Sequence, residues 1–581
     1  MHISTTRRHY VGADGVERVY ETHLLRRSTR VGKTVRNETL ANLSHLPAEL
    51  IEALRAGLAG KTLLVAGEGL EIVRSLPHGH LAAVATQAEA LGLPELLGPP
   101  CRERDVAYAL VLARAVRPAS KLATTSWWTD TTLLADLGLE EVGTDEVYQA
   151  MDWLFSRQEA IEALLVRRHL SAEANPARRA SFDLSSSWME GRRCPLAAFG
   201  HSRDGKRGKP QIEYGLLTDP SGCPVAIAVF PGNTGDPSSF VEIVKLVRER
   251  FGLQRLVMVG DRGMITSARI DALRSLPGMG WLTALRAPSI QRLAAQDGPL
   301  QMSLFDEVSF CEIAHPDYPG ERLVCCRNPL LADERARKRR ELLEASAAEL
   351  DEIAEAARRE RRPLRGKDAI ALKVGKVLNH YKMAKHFLLE IEEDSFSFSP
   401  NEESIATEAA LDGIYVLRTT IPDSELDTTG VISAYKDLAG VERDFRSMKA
   451  VDVDLRPVHH YLEHRVRAHA FLCFLSTYVT FHLRATLAPL TFADTEKPPR
   501  PDPVAPAPRS AGAKNKDATK LNAHGEALRG FRELIEHLGT LTRNTLRVAG
   551  TGVTFDLLAT PTPTQRRVFE LLGVAVPKTL V

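Results

Sequence analysis

Two aspartates occupy positions that a β-strand disfavours. Asp183 lies within "RASFDLSSSWMEG", whose alternating pattern predicts a strand, and Asp261 directly follows the apolar run "LVMVG", which predicts a buried strand. Aspartate is depleted in strands, and functional sites of open α/β sheets collect at the carboxyl ends of strands. Both positions are therefore candidates for chemistry. Taken singly, either aspartate could instead be a cap or an ion-pair partner.

A third acid, Glu442, stands among aromatic and basic residues in "AYKDLAGVERDFRSMK", residues 434–449. On one helix, residues three, four and seven apart share a side, so Tyr435, Glu442, Arg446 and Lys449 fall along roughly one face. An acid flanked by cations on one stripe suits a metal ion held beside a phosphate. An ordinary exposed helix with ion pairs four residues apart is the alternative interpretation.

Three converging carboxylates need a cation. Within a few ångströms of one another they would repel, and one or more would keep a proton. Two divalent ions would remove this repulsion, activate water and stabilise a leaving 3′-oxygen at a phosphodiester. Ligation by oxygen alone favours Mg²⁺ or Mn²⁺ over zinc.

The pattern along the chain predicts the elements that must position these acids. From residue 176 onward, strands come first and then alternate with helices, which indicates a mixed α/β sheet. We expect seven segments: a basic β/α region at 1–80, a helical region at 81–175, the first part of the sheet domain at 176–286, an insertion at 287–410, the second part with the third acid at 411–490, a proline-rich linker at 491–522 and a C-terminal segment at 523–581.

Composition limits the class of protein. The 581 residues are 44% hydrophobic and 26% charged, which is typical of a globular chain of several domains. There is no run of eighteen apolar residues and no apolar signal core at the N-terminus, so we expect a cytoplasmic protein with no membrane partner. The seven cysteines are scattered without CxxC spacing, which predicts reduced thiols and argues against a zinc module.

Nucleic-acid binding would have to depend on local basic clusters, because the net charge is only +1. Residues 7–36 hold eight Arg/Lys against three acids, and residues 358–385 hold ten against two. A third cluster is the Gly-rich segment 201–211, which predicts a loop carrying Arg203, Lys206 and Arg207. Solvated charged faces are the alternative interpretation. His460 and His464 have helical spacing, which we interpret as packing or phosphate contact.

Four ordered motifs resemble the DDE transposases of bacterial insertion sequences, in the group that has a long insertion before the third acid. They are "SFDLSSSWMEG" with Asp183, "FPGNTGD" at 230–236, "VGDRGM" with Asp261 and "YKDLAGVERDFRSMK" with Glu442. The long gap between Asp261 and Glu442 agrees with an insertion.

The signature of that group around the glutamate is Y-x2-R-x3-E-x6-K. Tyr435, Glu442 and Lys449 match it in register, and Leu438 stands where the signature has arginine. By this resemblance Tyr435 and Lys449 contact the DNA backbone near the cleaved bond. Arg446, one helical turn from Glu442, is our hypothetical replacement for the missing arginine.

The resemblance implies an α/β fold: a ribonuclease H-like mixed sheet split by a β-plus-helical insertion, with a mainly helical N-terminal region and a helical C-terminal part. It implies that Asp183, Asp261 and Glu442 hold two Mg²⁺ or Mn²⁺ ions. The implied reaction is strand cleavage at the terminal inverted repeats of a transposon and strand transfer into target DNA. Because two ends must be paired, it also implies a homodimer on double-stranded DNA, with the N-terminal 1–80 and 81–175 regions recognising the ends.

Two other functions stay open at this stage. A related metal-dependent nuclease would cleave DNA without strand transfer. A transposase-derived DNA-binding protein would have lost its chemistry, although all three acids are present. Relatives that form a hairpin at the element end use a tryptophan of the insertion to hold a flipped base; Trp281 follows Asp261, but its segment predicts a core strand.

Overall fold

A computed structural model describes residues 1–11, 16–31, 34–61, 69–175, 178–234, 244–253, 255–263, 265–295, 298–305, 308–494, 496, 502–504, 509–549 and 552–580. Residue contacts divide the chain into two units. One consists of residues 1–76 and 542–559, and the other of residues 77–541 and 560–581. The predicted C-terminal segment 523–581 therefore contributes to both.

Sixteen strands lie within the described ranges. They are β1 His2–Val11, β2 Glu17–Val31, β3 Thr34–Asn42, β4 Leu70–Pro77, β5 Arg179–Trp188, β6 Gln211–Thr218, β7 Pro224–Pro231, β8 Leu256–Val259, β9 Met279–Ala284, β10 Phe310–Ile313, β11 Arg322–Arg327, β12 Phe387–Ile391, β13 Phe396–Pro400, β14 Ile414–Thr419, β15 Thr542–Val548 and β16 Thr554–Leu558.

The described α-helices are α1 Ala48–Leu58, α2 Gly79–Ala90, α3 Leu93–Leu97, α4 Arg102–Val116, α5 Lys121–Trp128, α6 Leu133–Asp136, α7 Thr144–Leu170, α8 Ser267–Arg274, α9 Ala287–Leu293, α10 Pro329–Arg358, α11 Lys367–Tyr381, α12 Glu402–Ala409, α13 Thr428–Lys436, α14 Leu438–Arg446, α15 Glu463–Thr486, α16 Ala511–Thr519, α17 Phe531–Gly539 and α18 Pro563–Leu571. Short 3₁₀ or π turns occur at Leu246–Arg250, Met302–Phe305, Ala384–His386, Ser447–Val451 and Ala488–Leu490. Among the described helices, none combines the length and apolarity needed to cross a bilayer.

The smaller unit is built from two three-stranded sheets. One has the antiparallel order β1-β2-β3, and the other has the order β16-β15-β4. Pairing of the C-terminal hairpin with β4 brings the two ends of the chain into one sheet. The sequence pattern predicts the N-terminal strands but not this pairing, because the partners are separated by most of the chain.

The larger unit contains one eight-stranded mixed sheet in the order β10-β11-β14-β9-β8-β5-β6-β7. Strands β5, β6 and β7 form an antiparallel meander, while β8 runs parallel to β5, and β9 runs parallel to β8. Strand β14 follows the insertion in the chain and adds antiparallel to β9. The expected mixed α/β sheet, completed by a strand from beyond the insertion, is present.

The helical region packs around α15, whose run "AFLCFLSTYV" at 470–479 is apolar on nearly every side. Such a helix must be buried on all faces, and residues 468–480 are all buried. It packs against α2, α4, α7 and strand β7. The helical layer is therefore attached to one edge of the mixed sheet.

The insertion differs from the expected segment 287–410 at its beginning. Strands β10 and β11 extend the main sheet, since β11 pairs with β14. The run "LVCC" at 323–326 is fully buried, and a continuous apolar run is typical of a strand covered on both faces. Helices α10 and α11 and the hairpin β12–β13 share a separate apolar core that includes Leu350, Ile370 and Phe387.

Two further expectations need correction. The single helix predicted over residues 434–449 is divided into α13, α14 and a π turn, with Asp437 at the junction of the two α-helices. Within the expected linker 491–522, residues 511–519 form α16, whose first turn is capped by the Ser510 hydroxyl and whose Lys516 donates to three backbone carbonyls. Most of the proline-rich run 498–508 lies outside the described residues.

Candidate active site

Asp183 and Asp261 lie side by side on neighbouring parallel strands. In the β5–β8 pair, Ser181 is opposite Val259. Asp183 comes two residues after Ser181, and Asp261 comes two residues after Val259. The Gly260 amide donates to the Leu282 carbonyl of β9 at 3.1 Å, so the hydrogen-bond ladder between β8 and β9 continues past Val259. Because side chains two apart point to the same face, we place the two carboxylates on one face, about one strand spacing of roughly 4.8 Å apart.

Glu442 reaches the same face from α14. Val441, Phe445 and Met448 form a buried stripe at helical spacing, and α14 packs against β5 through it. The Phe445 ring meets the Tyr214 ring of β6 edge to face, with 5.8 Å between centroids. Glu442 directly follows Val441, the first residue of the stripe, so packing of its apolar neighbours fixes the position of its backbone.

Two glycines allow α14 to approach the β6–β7 turn. A Cβ built on Gly440 would lie 3.3 Å from the Gly222 Cα, and one built on Gly222 would lie 3.4 Å from the Gly440 Cα. Gly222 also has a φ of +90°, which side-chain-bearing residues rarely adopt. The glycine pair thereby sets the height of the Glu442-bearing helix over the sheet.

All three acids line one cavity of about 520 Å³, the acid cavity. The side chains of Arg262, Tyr435 and Leu438 line it as well. The pKa of Asp183 is raised to about 7, mainly by burial and also by the nearby charges of Asp261 and Glu442, while the Leu184 amide and Arg203 oppose the change. The fold therefore brings together the three acids selected from the sequence.

Tyr435 of the signature faces the acids. The pKa of its phenol is raised to about 12, mainly by burial and also by the charge of Asp261. The phenol is thus protonated and can donate a hydrogen bond. Leu438, at the arginine position of the signature, packs beside an apolar cluster that includes Val259 and Val431.

Among the predicted cations, Arg203, Arg446 and Lys449 line a different depression from Tyr435. A second depression of about 590 Å³, the basic groove, is lined by the three acids together with Arg203, Asp204, Arg446, Lys449 and Arg456. Lys449 donates to Asp204 Oδ1 at 2.9 Å, and Arg456 donates to the same oxygen. The Asp204 side chain is only 1% exposed, so it holds both cations in place beside the acids.

The three predicted cations of the loop 201–211 differ in their contacts. Arg203 donates from its guanidinium to the Leu184 carbonyl and from its amide to Ser186 Oγ, which ties it to β5 next to Asp183. Lys206 and Arg207 are exposed and do not line the groove. The Lys206 ammonium lies 5.2 Å from the centre of the Trp188 ring, and Arg456 lies equally close to it.

Sequence reasoning missed Asp204, Arg262 and Arg456. Arg262 is adjacent to Asp261 in "VGDRGM", so the motif itself carried that signal. Asp204 is the one acid in the basic loop "HSRDGKRGK", which could have identified it as a partner for distant cations. Arg456 lies in a segment without regular structure and has no comparable signal. Trp281 is 2% exposed and donates from its indole to Glu321 at 3.2 Å, as a core strand residue.

Comparison with known families gives this geometry a context. The family model described as the transposase DDE domain matches residues 189–479, half of the chain. The chain belongs to the transposase DDE-domain family. The matched range includes Asp261 and Glu442 and begins after Asp183. The family is one of transposase enzymes that use divalent metal ions.

Two solved transposase structures resemble this DDE-family chain. The cryo-EM structure of the piggyBac transposase synaptic complex with hairpin DNA is 10% identical, with a TM-score of 0.34, over 75% of this chain and 70% of that one. The Mos1 transposase paired-end complex with the left transposon end is 16% identical, with a TM-score of 0.14, over 34% of this chain and 62% of that one. TM-scores this low define no residue-by-residue correspondence. Among curated proteins, no sequence matches this chain.

A pocket of buried cations lies next to the basic groove of this DDE-family chain. This cation pocket, of about 400 Å³, shares Arg456 with the groove and is also lined by Arg114, Lys121, Asp454, His459, His460 and His469. Arg114 and Lys121 are 7% and 6% exposed. Within the described ranges, neither forms an ion pair with a carboxylate; Lys121 Nζ lies 3.4 Å from His469 Nδ1.

Proposed function

We propose that this chain is a DNA transposase that cleaves DNA at transposon ends and transfers the freed strands into target DNA. The observation that carries the proposal is the convergence of Asp183, Asp261 and Glu442, from three distant segments, on the acid cavity. Membership of the DDE family supports the reaction class. The order β7-β6-β5-β8-β9, with a meander followed by two parallel strands, supports a ribonuclease H-like core.

The three acids fit a site for Mg²⁺ or Mn²⁺, with two ions as our proposal. All the donors are carboxylate oxygens, which these hard cations prefer. A pKa of about 7 for Asp183 means that, in the absence of a cation, this carboxyl holds a proton for part of the time at neutral pH. A bound divalent ion would lower the pKa of the attacking hydroxyl group or water and neutralise charge on the leaving oxygen.

The chain's own residues would orient the DNA. The protonated Tyr435 phenol can donate to a phosphate oxygen beside the acids. Asp204 holds Lys449 and Arg456 in place, and the Leu184 carbonyl of β5 holds Arg203. Little side-chain entropy is therefore lost when these cations contact a phosphate. We propose that the strand runs along the basic groove past Arg446, with Lys206 and Arg207 contacting the backbone further out.

Replacing Arg446 by alanine should weaken binding of transposon-end DNA uniformly across sequences. Loss of a charge-assisted phosphate contact costs about 1.5–3 kcal/mol, or roughly tenfold or more in affinity. The slope of log affinity against log salt should fall by about one, because one fewer counterion is released. Fluorescence anisotropy across a salt series measures both quantities. Arg566→Ala, on the exposed face of α18, is the matched control; an unchanged slope for Arg446→Ala would remove this residue from the DNA path.

We propose that the cation pocket takes a backbone phosphate of the same DNA. Among the described residues, Arg114, Lys121 and Arg456 line the pocket against the single carboxylate of Asp454. Buried cations in excess of anions are costly, and burial together with the charge of Arg114 lowers the pKa of Lys121. A phosphate would pair with both side chains. His460 lines this pocket, so the phosphate contact predicted for His460 would be made here.

Replacing Lys121 by methionine should lower DNA affinity without lowering thermal stability. DNA affinity should fall about tenfold, while the melting temperature should stay equal or rise, since an apolar side chain of similar size replaces a poorly paired buried cation. Anisotropy and differential scanning calorimetry measure the two effects, with the exposed Lys514→Met as control. Unchanged affinity would show that the pocket does not bind DNA, and a large loss of stability would mark Lys121 as a packing residue.

The domain organisation and assembly are parts of the same proposal. Regions 1–80 and 81–175 would recognise the transposon ends, and the insertion, core parts, linker and C-terminal segment would keep the boundaries expected from the sequence, apart from the strands noted above. A homodimer would hold two terminal inverted repeats together. Light scattering of the chain with and without end DNA tests the dimer.

The deciding experiment uses DNA that flanks the gene. A labelled duplex carrying the terminal inverted repeat is incubated with the full chain, Mg²⁺ and a supercoiled plasmid. Nicking at the repeat end followed by covalent joining of the label to the plasmid is the predicted result. Nicking without joining would identify a nuclease, and binding without either product would identify a DNA-binding derivative; both outcomes overturn the proposal.

A further inference from the structure

Three metal-binding side chains converge away from the acid cavity. These three side chains, of two types, are Cys223 at the β6–β7 turn, His169 near the end of α7 and His482 near the end of α15. One donor atom from each lies within 4.8 Å of the other two, and Cys223 Sγ is 3.5 Å from His482 Nε2. Tetrahedral zinc with bonds of 2.0–2.3 Å separates its donor atoms by about 3.5 Å, so the Cys223–His482 pair already has the required spacing.

An aspartate orients one of the imidazoles. Asp219 Oδ2 lies 3.3 Å from His169 Nδ1. A carboxylate only accepts, so Nδ1 carries the proton and Nε2 has the lone pair, which accepts from the Tyr478 hydroxyl at 3.1 Å and which a metal ion could take instead. Metal-ligating histidines commonly donate their second nitrogen to a carboxylate in this way. The other Asp219 oxygen accepts from the Ser221 and Cys223 amides, which fixes the turn that carries the thiol.

The surroundings are rich in acid groups. Cys223 is 1% exposed, and the carboxyl groups of Asp219 and Asp444 lie near its thiol. Asp444 is itself buried, and within the described ranges its Oδ2 has no hydrogen-bond partner. A cation at the cluster would relieve both groups, and no protein cation is ion-paired with Asp444 there.

We propose that Cys223, His169 and His482 bind one zinc ion. A thiolate with two imidazoles is a borderline-soft donor set that favours Zn²⁺ over the Mg²⁺ or Mn²⁺ of an all-carboxylate site. The ion would tie together α7, the β6–β7 turn and α15. Because that turn meets α14 through the Gly222–Gly440 contact, the zinc would also stabilise the base of the Glu442 helix.

The scattered ligands explain why the sequence predicted no zinc module. That expectation depended on the absence of CxxC spacing, and it applies to modules whose ligands are close together along the chain. Here the three ligands come from segments that only the fold brings together. The seven cysteines are free thiols in the structure.

Metal analysis of the full-length protein tests the proposal independently of any DNA chemistry. Mass spectrometry of the desalted protein, purified from zinc-supplemented medium, should give about one zinc per chain. Glu442→Gln should keep that zinc, which separates it from metal in the acid cavity. Asp219→Asn should lower zinc affinity 10- to 100-fold, as is typical when a ligand loses its hydrogen-bond partner. Cys223→Ser and His482→Gln remove a ligand itself, so they should lower zinc affinity by more than this and lose the bound zinc.

A second measurement uses the wild type, so it does not depend on whether a variant folds. Co²⁺ added to the metal-free chain should produce thiolate-to-cobalt charge-transfer absorption at one equivalent, and Zn²⁺ should remove it. Cys194→Ser, at another buried cysteine, should retain the band. A wild type without zinc and without the band, or a Cys223→Ser variant that retains either, would overturn the proposal and identify the cluster as a metal-free hydrogen-bond network.

Discussion

Replacing Glu442 by glutamine should lower the rate of end cleavage at least about a thousandfold. Glutamine keeps the size of the side chain but removes the charge that would hold a divalent ion against Asp183 and Asp261. Metal ions supply several kcal/mol of transition-state charge stabilisation, and about 4 kcal/mol corresponds to a thousandfold in rate. Single-turnover cleavage of a labelled transposon end in Mg²⁺ measures the effect.

The control for this variant is Glu425→Gln, because the Glu425 side chain is 54% exposed and its ion pair among the described residues is with Arg255, at 3.6 Å. It should cleave at the wild-type rate. Binding of end DNA by Glu442→Gln in the absence of metal should be equal to or stronger than that of the wild type, since a repulsive charge near the phosphates is removed. Cleavage by Glu442→Gln within tenfold of the wild type would exclude Glu442 from the metal site.

Replacing Asp183 by asparagine should stabilise the metal-free protein at alkaline pH while abolishing cleavage. The folded-state pKa of Asp183 is raised to about 7, above the unfolded value of about 3.9. The folded state then binds more protons than the unfolded state between these values, so the contribution of Asp183 to stability falls as pH rises from about 4 to about 7. At about 1.4 kcal/mol per pKa unit, the stabilisation of the variant at pH 8 is about 4 kcal/mol.

Denaturant unfolding in EDTA at pH 4 and pH 8 measures this difference. The two proteins should differ little at pH 4 and most at pH 8. Addition of Mg²⁺ at pH 8 should stabilise the wild type and leave Asp183→Asn unchanged, because a ligand that binds only the folded state adds stability. Asp317→Asn, whose side chain is 61% exposed, should follow the wild type. A variant less stable than the wild type at pH 8 would show that the carboxylate is not strained by its neighbours.

Asp183 and Asp261 could be selected from sequence because each conflicts with its local context. An acid in a strand has a cost, and such conflicts collect at functional sites. The helical spacing of Tyr435, Glu442 and Lys449 gave the third acid, even though the helix is divided at Asp437. What the pattern could not give was the register that sets Ser181 opposite Val259 and thus places the two aspartates side by side.

The missed contacts all join residues that are distant in the chain. Asp204 pairs with Lys449 and Arg456 from more than two hundred residues away, and no periodicity encodes such a pairing. Cys223, His169 and His482 lack a local motif for the same reason. The expected insertion 287–410 includes β11 because of its position in the chain, whereas its burial and its pairing with β14 place it in the main sheet.

The departure at Leu438 is easier to interpret from the structure than from the signature. Leu438 lines the acid cavity and packs beside the apolar cluster of Val259 and Val431. Cations stand at both sides of the acids instead, with Arg262 in the acid cavity and Arg446 in the basic groove. Positive charge is therefore available near the acids without an arginine at position 438.

The most direct measurement of the central claim is anomalous diffraction from crystals of the full chain soaked in Mn²⁺. We predict manganese density in the acid cavity within coordination distance of carboxylate oxygens from all three of Asp183, Asp261 and Glu442. Manganese bound without one of the three, or absent from the cavity at saturating concentration, would contradict the account.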